Sequence, residues 1–181
     1  MSLVPKKIIY VKGKGVSLDS ELLSFEQALR NASIEKFNLV NVSSIIPPYC
    51  KEVTIDEGLK KLKTGQIVHA VLSRISSKIK NQMICASIGV AQPVDQEMYG
   101  YLSEVHATDE KPEMLGRFSE NLALEMLATS LGIPFISKSN IDENKELLRI
   151  KGIIVETKNI TEMAIVEKEW VTVLAAAIFI L

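Results

Sequence analysis

Residues 37–48, FNLVNVSSIIPP, hold the pattern from which the rest of the chain can be read. Phe37, Leu39, Val40 and Val42 lead into Ser43-Ser44, then Ile45, Ile46 and two prolines. Apolar alternation with β-branched residues predicts a strand, and Pro47-Pro48 ends any ladder because proline has no N–H to donate. Ser43-Ser44 is therefore expected where a strand leaves its sheet. A peptide held there in a strained, exposed geometry brings the Ser44 hydroxyl close to the Ser43 carbonyl carbon, and Asn38 upstream is a candidate donor to a carbonyl oxygen. Those are the ingredients of serine-driven self-cleavage. By itself, a serine pair before Ile-Ile-Pro-Pro is more often an ordinary strand exit.

Outward from this stretch, residues 6–16, KKIIYVKGKGV, predict a first strand that breaks up at Gly13 and Gly15. The GKG pair lacks the spacing and the GK[ST] ending of a phosphate loop and is read as a turn. A helix follows, capped by Asp19 or Ser20, with Leu22, Phe25, Leu29 and Ala32 as its buried stripe and Glu26 at the border of that stripe. After the prolines, residues 55–62 form a short charged helical or irregular piece ended by Gly65. Strands are predicted over 66–74, 83–91 and 98–107, meandering antiparallel, with ICASIGVA buried on both faces. Residues 109–131 predict the longest helix, with Pro112 in its first turn, Leu115, Phe118, Leu122 and Met126 on one face, and Gly132 and Pro134 as stop signals. Strands resume over 149–156 and 163–180, separated by polar turns around 138–145 and 158–161. This order describes a single α+β domain, a sandwich of antiparallel β-sheets flanked by helices, αββα-like.

At 181 residues and 47% hydrophobic composition, one domain with an ample core is expected. A net charge of −1 excludes the basic footprint of a nucleic-acid binder and a polybasic membrane patch. The amino terminus, MSLVPKKIIYVKG, does not have the order of a signal sequence, and AAAIFIL is too short to span a bilayer, so a cytoplasmic protein is expected. Cys50 and Cys85 lie far apart without a CxxC or Cys/His cluster, which predicts reduced thiols and no metal site. His69 and His106 have no partner at useful spacing, and Trp170 is read as core.

Two further stretches join the first. Residues 24–48, SFEQALRNASIEKFNLVNVSSIIPP, and YGYLSE at 99–104 together resemble the pyruvoyl-dependent arginine decarboxylases, and the closing VTVLAAAIFIL is similar to that family's final strand. The resemblance implies self-cleavage into residues 1–43 (β chain) and 44–181 (α chain), with a covalent pyruvoyl cofactor formed from Ser44. It also implies a homotrimer or a dimer of trimers with sites between subunits. Its small-molecule substrate would be arginine, converted to agmatine and carbon dioxide for polyamine synthesis.

The chemistry agrees with that implication. Decarboxylation of an amino acid leaves a carbanion at Cα and needs an electron sink conjugated to it. A pyruvoyl group arises when the Ser44 hydroxyl attacks the Ser43 carbonyl, the resulting ester eliminates, and the dehydroalanine at residue 44 hydrolyses to a ketone. By resemblance, Asn38 steadies the cleavage oxyanion and Glu104 protonates the carbanion. Glu104 shares strand parity with Met98, Gly100 and Leu102, so it is expected to face an apolar layer that keeps it protonated as a donor requires; an edge-strand carboxylate in water is the other reading. Glu26 stands where arginine-specific members carry an Asp that pairs with the guanidinium, and Glu35 where the family tends to have Gly. A plain surface charge is the alternative for Glu26. Two alternative functions remain open: another amino acid substrate on the same cofactor, or a non-cleaving, non-catalytic paralogue.

Overall fold

The structure, a computed structural model, describes residues 3–133, 147–150 and 152–181. Among them, β1 (Lys7–Ser17), α1 (Glu21–Asn31), β2 (Asn38–Asn41), β3 (Ile45–Ile46), β4 (Lys51–Glu52) and α2 (Ile55–Leu59) lead into β5 (Ile67–Ser77), β6 (Met83–Pro93) and β7 (Gly100–Thr108). Then come α3 (Pro112–Ser130), β8 (Leu147–Ile150), β9 (Ile153–Ile165) and β10 (Trp170–Ile180). The strands form two five-stranded sheets, β2-β5-β10-β1-β4 and β3-β7-β6-β9-β8. Ladders are antiparallel except where the short edge strands β2 and β4 run parallel to β5 and β1.

Four layers result, as the α+β sandwich reading expects. Helix α1 covers the outer face of the first sheet through Ala28, Ala32, Leu174, Ala176 and Ile178. The inner faces meet through Ile8, Val71, Ile88, Val90, Leu102, Ala175 and Phe179. Helix α3 covers the outer face of the second sheet through Ala91, Ala123, Leu127 and Val155. Strand β10 therefore sends alternate side chains into two cores, which explains why it carries no polar alternation. Strand β6, buried from Ile84 to Ala91, does the same in the second sheet.

Several local expectations are corrected. Gly13 and Gly15 do not break β1, which pairs with β10 without interruption from Lys7 to Ser17. They let α1 approach instead: a Cβ on Gly15 would lie 2.1 Å from the Ser24 carbonyl oxygen, and one on Gly13 would lie 2.3 Å from that of Ala28. The buried face of α1 is accordingly the small one, Ser24 and Ala28, while Leu22 is exposed. Helix α3 repeats the device over Gly89, so its buried face includes Gly116, Ser119 and Ala123, and Phe118 is exposed.

Strands β5 and β6, adjacent in sequence, belong to different sheets rather than to one meander. The polar residues 158–161 lie inside β9, not in a turn. Their hydrogen-bonding capacity is used beneath α3, where Thr161 bonds Ser87 and Asn159 bonds Glu120. The expected strand over 163–180 is divided, β9 ending at Ile165 and β10 beginning at Trp170, which is half-buried rather than core. The turn expected around 138–145 lies outside the described residues.

Candidate active site

Strands β2 and β3 are edge strands of different sheets, so the residues between them carry the chain from one sheet to the other. The Val42 N–H donates to the Ala70 carbonyl at 3.0 Å and closes the first ladder. The Leu102 N–H donates to the Ser44 carbonyl at 2.7 Å and opens the second. Ser43 lies between these anchors and is exposed; Ser44 is half-buried. The sequence thus locates the serine pair at a strand exit, as the apolar alternation and the two prolines require. Neither serine has a positive φ, and what distinguishes the peptide is its exposed position between two tethers.

Antiparallel pairing of Ile45 with Tyr101 sets Ser44 beside the middle of β7. Its hydroxyl donates to Glu104 Oε2 at 3.4 Å, a long hydrogen bond between residues sixty positions apart. The apolar layer expected around Glu104 is not present in this chain: Leu102 is buried but Glu104 is exposed. The cause is local. Strand β3 pairs with β7 only at Gly100 and Tyr101, so beyond that point β7 is itself an edge and its carboxylate meets solvent. His106, two residues on, is exposed as well, and His69 is half-buried opposite Val40.

Asn38 and Glu26 lie elsewhere. Asn38 starts β2, where its Nδ2 donates to the Gly65 carbonyl at 2.8 Å. Its side-chain amide is thus engaged at the start of the strand, by Gly65 and not by the Ser43 carbonyl. Glu26 is half-buried on α1 and accepts from Arg30 Nε at 2.6 Å, the i, i+4 pairing of a helix surface. Arg30 in turn lines a cavity of about 290 Å³ together with Glu35, Lys36 and Thr64 over Phe37 and Leu62. Lys36 Nζ stands 4.0 Å from Glu35 Oε1. The hydrogen bond from Arg30 to Glu26, then the charges of Glu26 and Glu35, raise the guanidinium pKa above its ordinary value. Arg30 is the residue that the sequence reading missed, although its spacing from Glu26 was the signal.

The serine pair and Glu104 stand at the crossover, whereas Glu26 is paired with Arg30 on α1, Glu35 lines the cavity with Arg30, and Asn38 is bonded to Gly65. Along the shared edge of the sandwich, Val40, Ile45 and Ile67 are 43%, 40% and 64% exposed. The crossover fits a prosthetic group made from the backbone, because residue 44 is exposed on its amino side and held on its carbonyl side by Leu102. Among the described residues no cluster of three or more His, Cys, Asp or Glu side chains could hold a metal ion, and no helix is long and apolar enough to cross a membrane.

Comparison with known proteins adds to this geometry. The family described as pyruvoyl-dependent arginine decarboxylase (PvlArgDC) matches residues 7–181. A protein of Chloroherpeton thalassium named probable pyruvoyl-dependent arginine decarboxylase is 49% identical over 182 residues, covering 99% of this chain and 100% of the relative. A protein of the same name from Chlorobaculum tepidum is 48% identical over 181 residues, covering 99% of each chain. Pyruvoyl-dependent arginine decarboxylase 2 of Methanosarcina acetivorans is 44% identical over 180 residues, covering 98% of each.

Proposed function

Since this chain belongs to the pyruvoyl-dependent arginine decarboxylase family, we propose that it cuts itself between Ser43 and Ser44 and then converts arginine to agmatine and carbon dioxide. The observation that carries this reading is the crossover itself, an exposed serine pair suspended between two ladders with Glu104 3.4 Å from the Ser44 hydroxyl. Ser44 Oγ is the nucleophile of the cleavage and Ser43 supplies the carbonyl. The pyruvoyl group formed at residue 44 supplies the electron sink that decarboxylation requires. Glu104, beside that residue, delivers a proton to Cα of the substrate after carbon dioxide leaves. Glu26 pairs with the guanidinium, and the neighbouring Glu35 favours a cationic rather than an acidic substrate.

Assembly completes the site in this reading. Asn38 and Glu26 do not meet Ser44 within one chain, and the apolar edge of Val40, Ile45 and Ile67 gives a second copy a surface on which to dock. We place the site between subunits of a homotrimer, or of a dimer of trimers. There Asn38 of one copy steadies the cleavage oxyanion of another, and the neighbour's apolar surface encloses Glu104. The free thiols Cys50 and Cys85 suit a reducing cytoplasm, and agmatine is a substrate for amine-releasing steps toward polyamines.

Mass spectrometry of the purified protein tests the first step. Two fragments, residues 1–43 and 44–181, are expected, the second with a carbonyl in place of its amino group, while Ser44→Ala stays whole. A single uncut chain after prolonged warm incubation would overturn the reading.

A further inference from the structure

We propose that Arg30 is a resident counter-ion of Glu26 which the substrate's guanidinium displaces toward Glu35, so that Arg30 sets the affinity of the site for arginine. The proposal rests on the reading of Glu26 as the guanidinium's partner and adds to it a specificity-determining residue from the same helix.

Three features support it. First, the Arg30–Glu26 pair is open to replacement, with side chains 68% and 37% exposed. Arg30 uses one N–H, Nε, on one carboxylate oxygen at 2.6 Å. A guanidinium arriving from solvent can take both oxygens of Glu26 through its planar fork, the stronger geometry for this pair of groups.

Second, Arg30 has somewhere to go. It lines the cavity of about 290 Å³ together with Glu35. Among the described residues the Glu35 carboxylate has one ion-pair partner, Lys36 at 4.0 Å, the outer limit of an ion pair. Third, Glu26 and Glu35 both act on the Arg30 guanidinium, Glu26 more strongly, which marks Glu35 as the second partner within electrostatic reach. Exchange of partners leaves no charge bare: the substrate takes Glu26 and Arg30 takes Glu35. Because the resident guanidinium and the substrate's guanidinium compete for the same carboxylates, the site discriminates by charge at a point remote from the reacting carbon.

Steady-state decarboxylation by the self-cleaved enzyme tests this. Arg30→Gln removes the competitor, so KM for arginine should fall about two- to tenfold, the range of an exposed ion pair together with the repulsion it relieves, while kcat holds. Arg30→Lys, which keeps the charge but loses the fork, should lie between. Glu35→Gln should raise KM in the natural chain and have a smaller effect in the Arg30→Gln background, because the two act through one exchange. Inhibition by agmatine should tighten in Arg30→Gln, whereas inhibition by citrulline, which carries a neutral urea in place of the guanidinium, should not. If Glu26→Gln raises KM but Arg30→Gln fails to lower it, the proposal is overturned and the role of Glu26 stands. If Glu26→Gln leaves KM unchanged, the role of Glu26 fails, and Arg30 with it.

Discussion

Helix α1, which carries Glu26 and Arg30, rests on bare backbone, and Gly15→Ala tests that support directly. The added Cβ would lie 2.1 Å from the Ser24 carbonyl oxygen and 2.4 Å from the Ala28 nitrogen, both backbone atoms that no rotamer change can move. Ordinary contact needs roughly 3.3 Å or more, so the helix must lift by about 1 Å. The bond between Ser24 Oγ and Thr172 Oγ1, 2.6 Å in a buried setting, would then stretch beyond hydrogen-bonding range. Overpacking costs about 1–3 kcal/mol and the lost hydrogen bond about 1 kcal/mol, together about 2–4 kcal/mol. In a chain of this size each kcal/mol lowers Tm by about 2–4 °C, so the variant should melt about 5–15 °C below the natural protein.

The assay is thermal unfolding at one fixed protein concentration, which removes the contribution of assembly to the comparison. Gly132→Ala is the control. That residue has φ +69° and open space around its missing Cβ, so alanine there meets only the left-handed backbone penalty, about 1–2 kcal/mol. A Gly15→Ala variant that melts no lower than Gly132→Ala would refute the close approach of α1 to β1. The displaced helix should also raise KM for arginine if Glu26, which it carries, pairs with the guanidinium as proposed.

Three further outcomes are expected. Glu104→Gln keeps size and hydrogen bonding but has no proton to give, so kcat should fall about 10²- to 10⁴-fold while self-cleavage proceeds; decarboxylation at the natural rate would remove Glu104 from its role. Sedimentation should find the cleaved enzyme as a trimer or a dimer of trimers, and an active monomer would refute a site built between copies. Burial pushes the Cys50 thiol up to about 11, above its unfolded value, so the folded state holds this proton longer than the unfolded one. Stability should therefore be full below the unfolded thiol range and decline as pH rises toward 11, with the half-buried Tyr10, whose phenol pKa is also raised chiefly by desolvation, acting in the same direction. Melting temperatures across this range check it, and Cys50→Ala should flatten part of the slope; a stability that climbs with pH would contradict the assignment.

The limits of reading the chain from its residues are visible at particular places. The serine exit was legible because it depends on short-range facts: apolar alternation before it and prolines after it. The pairing of Glu26 with Arg30 is equally local, four residues apart on one helix. The partners of β5 and β6 were not legible. Both are apolar strands joined by a polar link, and nothing local distinguishes a hairpin from a crossing between sheets. The polar run inside β9 misled for a related reason, since Asn159 and Thr161 resemble turn residues until α3 and Ser87 use their hydrogen bonds.

Sequence alone thus determined much of the alternation of strands and helices, the doubly buried strand ICASIGVA, the serine pair at a strand exit and the membership implied by its flanking residues. These follow from side-chain periodicity and backbone chemistry, which act over a few residues. The tertiary structure decided the rest: that Gly13 and Gly15 are a floor for a helix and not a turn. It brought Glu104 to Ser44 across sixty residues, and it engaged the Asn38 amide with the Gly65 carbonyl and not with the serine pair. Such facts depend on which surfaces meet, and pairings between distant segments are chosen by the packing of the whole chain, not by any residue's own preference.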